Sequence, residues 1–381
     1  MHHVMRIVAA IPLLFYLLTN VVEGQHPAII SAEAGHRREY FYAGGGYVNT
    51  KNGHIFQNQM YVEKLSPIGG STREYPVVLL HGGGQSGTNW LNKPDGGVGW
   101  ASRFVEQGYD VFIVDETTRG RSPWWPENGL PQSVFSAELV FERFTGIRNS
   151  TLWPQAKLHS QWPGSGKMGD PIFDKYYQSN VQYIVNTVEQ ETATKAASIA
   201  LLDAIGPAVL ITHSQGGLYG WAIADLRPMS VKALVQIEPK GPPFREAVFS
   251  TEFTRPWGLT TIPLGFDPYP TDLSEPLTMK SIPTNSSDRV DCLVQDEPAR
   301  QLHNLANIPI LVVTAEASYH AMYDHCTGLF LEQAGVRTVE HWNLGDIGIH
   351  GNGHLLFMEL NSDAVAAALI EWIRRKAENL E

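Results

Sequence analysis

Residues 209–217 read Val209-Leu210-Ile211-Thr212-His213-Ser214-Gln215-Gly216-Gly217, an apolar, β-branched run that ends in a serine and two glycines. Residues 218–224 continue with a helix-like composition. This layout is typical of a nucleophile elbow, a sharp strand-to-helix turn that lifts a serine hydroxyl out of a sheet. Because a serine is a poor nucleophile at its free pKa, chemistry at Ser214 requires a base, an orienting acid and an oxyanion site around it.

Strand-like and helix-like patterns alternate on both sides of this turn. Upstream, an apolar run at 76–80, a helical segment at 100–107 and an apolar run at 111–114 form a βαβ unit, which implies a parallel sheet. The other predicted elements are β-like runs at 38–49 and 55–65, strands at 233–237, 308–314 and 336–344, and helices at 181–204, 322–334 and 363–377. We therefore predict an α/β fold whose mostly parallel sheet is flanked by helices.

The regular alternation stops between residues 123 and 181. This segment contains four tryptophans and several prolines, and it is too long for a plain connection in a compact domain. We interpret it as a cap insertion that folds over the top of the sheet. The prediction is one domain over residues 25–381, with the cap at about 123–181.

The first 24 residues have the three parts of a secretory signal peptide. Arg6 supplies the positive charge, residues 7–18 form the apolar core, and Val22-Glu23-Gly24 is a small-x-small cleavage site, so cleavage is expected near Gly24. A single membrane anchor is the alternative, but the apolar run is shorter than the ~20 residues that span a bilayer. We expect a secreted protein without stable membrane insertion.

Charge, sequons and cysteines agree with this location. The net charge of −11 argues against a nucleic-acid partner, because such binding needs a basic surface. Asn149 and Asn285 each begin an N-glycosylation sequon. Cys292 and Cys326 can form one disulfide in an oxidising compartment, and two free thiols are the alternative.

The base for Ser214 is sought in the loop His350-Gly351-Asn352-Gly353-His354, which precedes the final predicted helix. A late histidine fits the chain order serine, acid, histidine. We favour His354 over His350, because the glycines before it leave a loop that can reach over the sheet edge. A metal site at this histidine pair is disfavoured, since no carboxylate or cysteine lies at ligand spacing.

Three carboxylates stand at predicted strand ends and are candidates for the acid that orients the histidine: Glu238, Glu316 and Asp346. Glu238 ends the strand after the elbow strand and precedes Pro239. Glu316 ends the next strand, the more usual place for the acid in this chain order. Composition and spacing alone do not separate Glu238 from Glu316.

The oxyanion site requires backbone N–H groups aimed at developing negative charge. His81-Gly82-Gly83-Gly84 follows a central apolar strand and matches the loop that donates one N–H, which we assign to Gly83. Gln215, the residue after the serine, donates the other. Glycine suits this loop because a side chain would block the approach of the backbone to the substrate.

Together these residues resemble the α/β-hydrolase superfamily from about residue 76 to the end, and more narrowly a group of secreted or periplasmic bacterial-type serine esterases. The similar stretches are His81-Gly82 through Thr88-Asn89-Trp90, Asp115 with Arg119-Gly120-Arg121-Ser122, His213-Ser214-Gln215, and residues 235–239 and 348–354. In that group the acid is a glutamate after the strand that follows the elbow, so the resemblance implies Glu238. It also implies His354 as the base, the backbones of Gly83 and Gln215 as oxyanion donors, and no cofactor.

The residues and the resemblance predict a secreted serine hydrolase that cleaves a small-molecule carboxylic ester through an acyl-enzyme intermediate. Ser214 attacks, His354 transfers the proton and Glu238 orients the imidazole. A biosynthetic hydrolase, lyase or cyclase that tailors a specialised metabolite is one alternative, because the same fold hosts many reactions. A catalytically silent binding protein on a hydrolase scaffold is another, against which the intact triad argues.

Overall fold

The computed structural model describes residues 32–126, 129–149 and 152–378. The predicted signal peptide, residues 1–24, lies outside this part of the chain, as do the second and third residues of the Asn149 sequon. Among the described residues, no helix combines the length and hydrophobicity needed to cross a bilayer.

The chain contains sixteen strands and seven α-helices over the described residues. The strands are β1 (His36–Ala43), β2 (Gly46–Thr50), β3 (Gly53–Gln57), β4 (Met60–Pro67), β5 (Val77–Leu80), β6 (Val111–Asp115), β7 (Gln132–Ser133), β8 (Tyr183–Ile184), β9 (Ala208–His213), β10 (Val231–Ile237), β11 (Phe244–Arg245), β12 (Phe253–Arg255), β13 (Met279–Ile282), β14 (Cys292–Gln295), β15 (Ile310–Thr314) and β16 (Val339–Asn343). The helices are α1 (Trp100–Glu106), α2 (Ala137–Val140), α3 (Pro171–Gln178), α4 (Thr187–Ile205), α5 (Gly216–Leu226), α6 (Asp324–Gln333) and α7 (Ser362–Ala377).

Eight strands form the main sheet in the order β1-β4-β6-β5-β9-β10-β15-β16. The six strands from β6 to β16 are mutually parallel, whereas β4 pairs antiparallel with both β1 and β6. The predicted mostly parallel α/β sheet is therefore confirmed. Because parallel strands share one carboxyl edge, the loops after β5, β6, β9, β10 and β15 meet at the same side of the sheet.

Alternate residues of the central strands enter two apolar layers on opposite faces of the sheet. In β9, Leu210 joins the layer that contains α4 and α5, and Val209 and Ile211 join the layer that contains α1 and α7. Burial on both faces explains why β5 and β9 are continuously apolar rather than alternating. The same burial holds the elbow between two packed layers.

Two predicted elements differ from those observed. The β-like runs at 38–49 and 55–65 each contain two strands, because the chain breaks at Gly44 and Gly45, both with positive φ, and again at Asn58. The predicted helix at 181–204 begins only at Thr187. The side chain of Asn186 accepts the N–H of Glu189 and caps that helix, a local signal that the apolar spacing of residues 184–188 obscured.

Short elements make up the segment predicted as a cap. Besides β7, α2 and α3, it contains a π-helical turn at Phe141–Thr145 and 3-10 turns at Ile147–Asn149 and Pro154–Leu158. Phe135, Phe144 and Tyr176 of this segment line a cavity that also contains Ser214. Its extent as a separate unit stays a prediction.

Cys292 of β14 and Cys326 of α6 are joined by a disulfide, with Cα atoms 5.1 Å apart. The bridge ties the β13–β14 hairpin to the helix that follows β15. Both cysteines are fully buried, and the described residues contain no free cysteine.

Candidate active site

Ser214 lies at a tight turn between β9 and α5. Its φ is +52°, a left-handed conformation that is unfavourable for any residue other than glycine. Its backbone N–H donates to the carbonyl of Ile237 (3.0 Å), and its carbonyl accepts the N–H of Lys240 (2.8 Å). A Cβ added to Gly217 would lie 2.5 Å from Cβ of Pro239, so the turn requires glycine at that position.

Glu238 and His354 meet beside this turn. Nδ1 of His354 lies 2.5 Å from Oε2 of Glu238, and both side chains are buried. Glu238 follows β10 directly, so its carboxylate stands at the carboxyl edge of the sheet. It also accepts the backbone N–H of Ala315 (2.8 Å) and the hydroxyl of Ser318 (2.8 Å).

These contacts set the protonation states. Burial raises the pKa of Glu238, while His320 and the N–H and O–H donors oppose that rise and favour the carboxylate. Burial, assisted by His320, drives the pKa of His354 well below its ordinary value. His354 is therefore neutral at neutral pH, with its proton on Nδ1 facing Glu238 and its Nε2 unprotonated.

Nε2 of His354 faces the cavity. The hydroxyl of Tyr319 donates to it at 3.4 Å, and no hydrogen bond joins it to Ser214 Oγ within the described residues. Ser214 and His354 nevertheless line the same cavity of about 540 Å³. Catalytic hydrogen bonds are often long or poorly aligned in a site without substrate and tighten when it is occupied.

Neighbouring side chains fix the loop that carries His354. The carboxylate of Glu359 accepts the N–H of Gly353 (3.0 Å) and Nδ2 of Asn352 (2.8 Å). His159, from the segment predicted as a cap, contributes Nε2 at 2.7 Å from the same carboxylate. Nε2 of His213 donates to the carbonyl of His354 (3.0 Å). The imidazole thus has support from the elbow strand and from the cap segment.

The rival candidates lie elsewhere and contact each other. Nδ1 of His350 is 3.0 Å from Oε1 of Glu316, and the other oxygen of Glu316 accepts the N–H of Gly351 (2.8 Å). Neither side chain lines the cavity that contains Ser214. Asp346 accepts Nδ2 of Asn343 within its own turn. Only Glu238, of the three strand-end carboxylates, is in contact with His354.

Gly83 and Gln215 lie at the cavity wall beside Ser214. Their backbone N–H groups donate to no other described residue. Unpaired backbone N–H groups beside a nucleophile can bind the oxygen of a tetrahedral intermediate. A Cβ added to Gly83 would lie 3.0 Å from Oε1 of Gln215, so glycine keeps the two groups close.

Sequence reasoning missed a second histidine at this site. His320 stacks on His354 with ring centroids 5.0 Å apart, and its Nδ1 lies 2.9 Å from Oδ1 of Asp324. Burial lowers the pKa of His320, but Asp324 and Glu238 outweigh it and raise that pKa overall. The signal available in the sequence was a histidine and an aspartate four residues apart, His320 and Asp324, shortly after β15.

Within the described part of the chain, two groups of side chains have the composition of a metal site. Glu238, His320 and His354 place ligand atoms within 4.8 Å of one another, as do His325 and the two cysteines. In the first group the carboxylate oxygens already accept hydrogen bonds from Ala315, Ser318 and His354. In the second, both sulfur atoms are joined to each other. In neither group are the ligand atoms free to bind a metal ion.

The two asparagines of the predicted N-glycosylation sequons lie on the surface. Asn149 and Asn285 are both exposed, and Asn285 adopts a positive φ of 52° in a loop between β13 and β14. An exposed loop asparagine is accessible to modification, as a glycosylation site requires.

Comparisons with known proteins agree with this architecture. Residues 77–368 match the model of the Alpha/beta hydrolase family. The protein named Probable secreted lipase phiG, from Fungal sp. (strain ATCC 74256), is 44% identical over 361 residues, which cover 94% of this chain and 96% of that protein. The solved structure of a novel bacterial esterase shares the fold, with a TM-score of 0.62 at 20% identity over 91% of this chain and 97% of that one.

Proposed function

This chain belongs to the alpha/beta hydrolase family, and from that premise we propose that it is a serine hydrolase that cleaves carboxylic esters through an acyl-enzyme intermediate. The observation that carries the proposal is the contact between Nδ1 of His354 and Glu238, at the wall of the cavity that contains Ser214. A neutral imidazole held in this tautomer presents a base to the serine.

The reaction starts when Nε2 of His354 removes the proton of Ser214 and Oγ attacks the ester carbonyl. The tetrahedral oxyanion accepts the N–H groups of Gly83 and Gln215, while the ionised Glu238 stabilises the imidazolium. His354 then gives its proton to the departing alcohol. Water, activated by the same imidazole, attacks the acyl group and regenerates Ser214.

Before Ser214 can form a hydrogen bond to Nε2 of His354, the hydrogen bond from the hydroxyl of Tyr319 to that atom must break. That hydrogen bond is long, at 3.4 Å, and is therefore weak.

The lining of the cavity favours a polar ester over a plain long-chain one. Aromatic rings from the cap segment, Phe135 and Phe144, line the cavity together with the charged side chains of Arg143, Lys240 and Glu246. Burying these charges against an alkyl chain would be unfavourable. This lining supports a second candidate, a hydrolase that tailors a polyfunctional metabolite with the same catalytic residues.

We also propose that the protein is secreted. The signal-peptide pattern of residues 1–24 supports this, as do the disulfide and the exposed asparagines of both sequons. A homologue that carries the words "probable secreted" in its name, and that aligns over 94% of this chain, adds support. N-terminal sequencing of the protein from culture medium, with Gln25 expected as the first residue, tests both secretion and the cleavage site.

The test of the catalytic proposal is the Ser214→Ala variant. The wild type should react with a fluorophosphonate probe and hydrolyse p-nitrophenyl butyrate, and the variant should do neither. Ser198→Ala is the matched control, because Ser198 is buried in α4 away from the cavity. Hydrolysis retained by Ser214→Ala contradicts the nucleophile, and a wild type that does not react with the probe indicates a silent scaffold.

Assays with one panel of ester substrates distinguish the two candidate substrate classes. Simple nitrophenyl esters of two to twelve acyl carbons and esters of polyfunctional specialised metabolites are compared by kcat/KM. High values across the simple esters support a general esterase. Uniformly low values with turnover of one polyfunctional ester support the tailoring enzyme.

A further inference from the structure

One peptide unit of the oxyanion loop has unusual support. The carbonyl of Gly82 and the N–H of Gly83 belong to the same peptide group, so whatever binds the carbonyl also orients the N–H. Two side chains donate to this carbonyl: Nδ1 of His81 at 2.9 Å and Nη1 of Arg119 at 3.1 Å. Both side chains are completely buried.

The tautomer of His81 is set by its other nitrogen. Nε2 accepts the backbone N–H of Glu116 at 3.0 Å, so the proton is on Nδ1 and points to Gly82. Burial lowers the pKa of His81 to about 4, and the ring is therefore neutral at the pH of most assays. His81 acts as a fixed neutral donor to the loop.

Arg119 also reaches the second oxyanion residue. Its Nη2 donates to Oε1 of Gln215 at 2.7 Å. Arg119 follows β6, Gly82 follows β5 and Gln215 follows β9, and β5 lies between the other two strands. One planar guanidinium therefore joins three loops: it contacts the Gly82–Gly83 peptide through its carbonyl and Gln215 through its side chain.

Arg119 is a buried cation with one carboxyl group close to it. Oε2 of Glu116 lies 3.2 Å from Nη1. Burial raises the pKa of Glu116 to about 8, and Arg119 opposes that rise. Arg121 in the same loop forms ion pairs with Asp115 and Glu63.

We propose that Arg119 is the positioning residue of the oxyanion hole: it holds the Gly82–Gly83 peptide and Gln215 so that both N–H groups point at one oxygen. A carbonyl that accepts two hydrogen bonds also makes the N–H of its peptide a better donor. The inference rests on the proposed ester hydrolysis and assigns a role to Arg119, a residue that the triad leaves without one.

The test compares an ester with its thionoester, in which sulfur replaces the carbonyl oxygen. Sulfur accepts hydrogen bonds poorly, so an ordered oxyanion hole strongly prefers the oxygen ester. The ratio of the two kcat/KM values is independent of the folded fraction, because both substrates report on the same active molecules. Fluorophosphonate titration gives the concentration of active sites.

Arg119→Lys keeps the charge but replaces the planar fork by a single nitrogen, which does not reproduce the two separate contacts of Nη1 with Gly82 and Nη2 with Gln215. We expect kcat for the ester to fall by about 10–100-fold at nearly constant KM, less than the 10²–10³ lost with a whole oxyanion donor. The ester-to-thionoester ratio should fall with it, by about tenfold. Arg121→Lys is the matched control: it weakens an ion pair in the same loop and should keep the wild-type ratio.

Gln215→Leu provides a second test, because this side chain is only partly buried and its loss leaves the backbone N–H in place. This substitution removes the acceptor of Nη2 of Arg119 and should lower the ester-to-thionoester ratio by about threefold or more. The effect should be smaller than that of Arg119→Lys, because the contact of Arg119 with Gly82 remains. A wild-type ratio in active Arg119→Lys and Gln215→Leu enzymes overturns the positioning role alone. A wild type that cleaves neither substrate and does not react with the fluorophosphonate probe overturns the proposed function and this inference with it.

Discussion

Replacing Glu238 by glutamine removes the charge of the buried acid without changing its shape. The carboxylate accepts the N–H of Ala315 through Oε1, and the Ser318 hydroxyl and His354 through Oε2. If the single amide oxygen of glutamine stays on Ala315, its NH₂ group faces Nδ1 of His354 as a donor. The imidazole must then carry its proton on Nε2, the atom that has to accept the proton of Ser214.

The expected loss in kcat follows from this wrong tautomer. In the Ser-His-Asp template the equivalent change lowers kcat by about 10⁴, which corresponds to about 5.4 kcal/mol of transition-state stabilisation. We expect a loss of about 10³–10⁴ here, because the acid is equally buried and bonded to Nδ1. Stability should change little, since glutamine fills the same volume and burial disfavours the charged form of Glu238. Steady-state hydrolysis of p-nitrophenyl butyrate and thermal unfolding measure the two effects.

Glu316→Gln is the matched control. Its carboxylate binds His350 and the N–H of Gly351 outside the cavity, so kcat should stay within about threefold of the wild type. Together, the two variants decide whether Glu238 or Glu316 is the acid, a choice that the spacing of the strand ends leaves open. A Glu238→Gln enzyme within about tenfold of wild-type kcat, or a larger loss in Glu316→Gln, would refute the role of Glu238.

Three further outcomes are expected. Serine at both Cys292 and Cys326 should lower the free energy of unfolding by up to about 4 kcal/mol, because the disulfide spans 34 residues; an unchanged denaturant midpoint would contradict this. Burial holds the pKa of His354 well below 6.5, so its base form persists as the pH falls, and the acid limb of kcat/KM should lie below pH 6.5; a limb at or above that value argues against His354. Ser214→Gly should be more stable than Ser214→Ala by about 1 kcal/mol, because φ is +52°; equal melting temperatures would show that the turn is not strained.

The central sheet was predictable because its strands are buried on both faces. Such strands are continuously apolar, and in residues 209–213 the run ends directly at a serine and two glycines, a combination with few structural solutions. The helix that precedes β9 was less clear. Apolar residues at 184, 185 and 188 fit a helical period, yet the first of them pairs in β8, and only the Asn186 cap marks where α4 begins.

The candidate site was predictable in its residue types but not in its pairings. Spacing places Glu238 and Glu316 equally well at strand ends, and the structure separates them by contact, since Glu316 pairs with His350. The contact between His320 and His354 depends on the path of the chain after β15, which no local pattern reports. The cap segment was least readable, because its aromatic residues follow no helical or strand period.

His159 joins the cap segment to Glu359, the carboxylate that holds the loop of His354. A chimaeric enzyme that takes residues 123–181 from a relative with another substrate range would therefore exchange part of the support of its own base. Such a graft needs a hydrogen-bond donor at position 159, or a compensating change at Glu359. An exchange of the cap segment would therefore also alter a contact that supports the loop of His354.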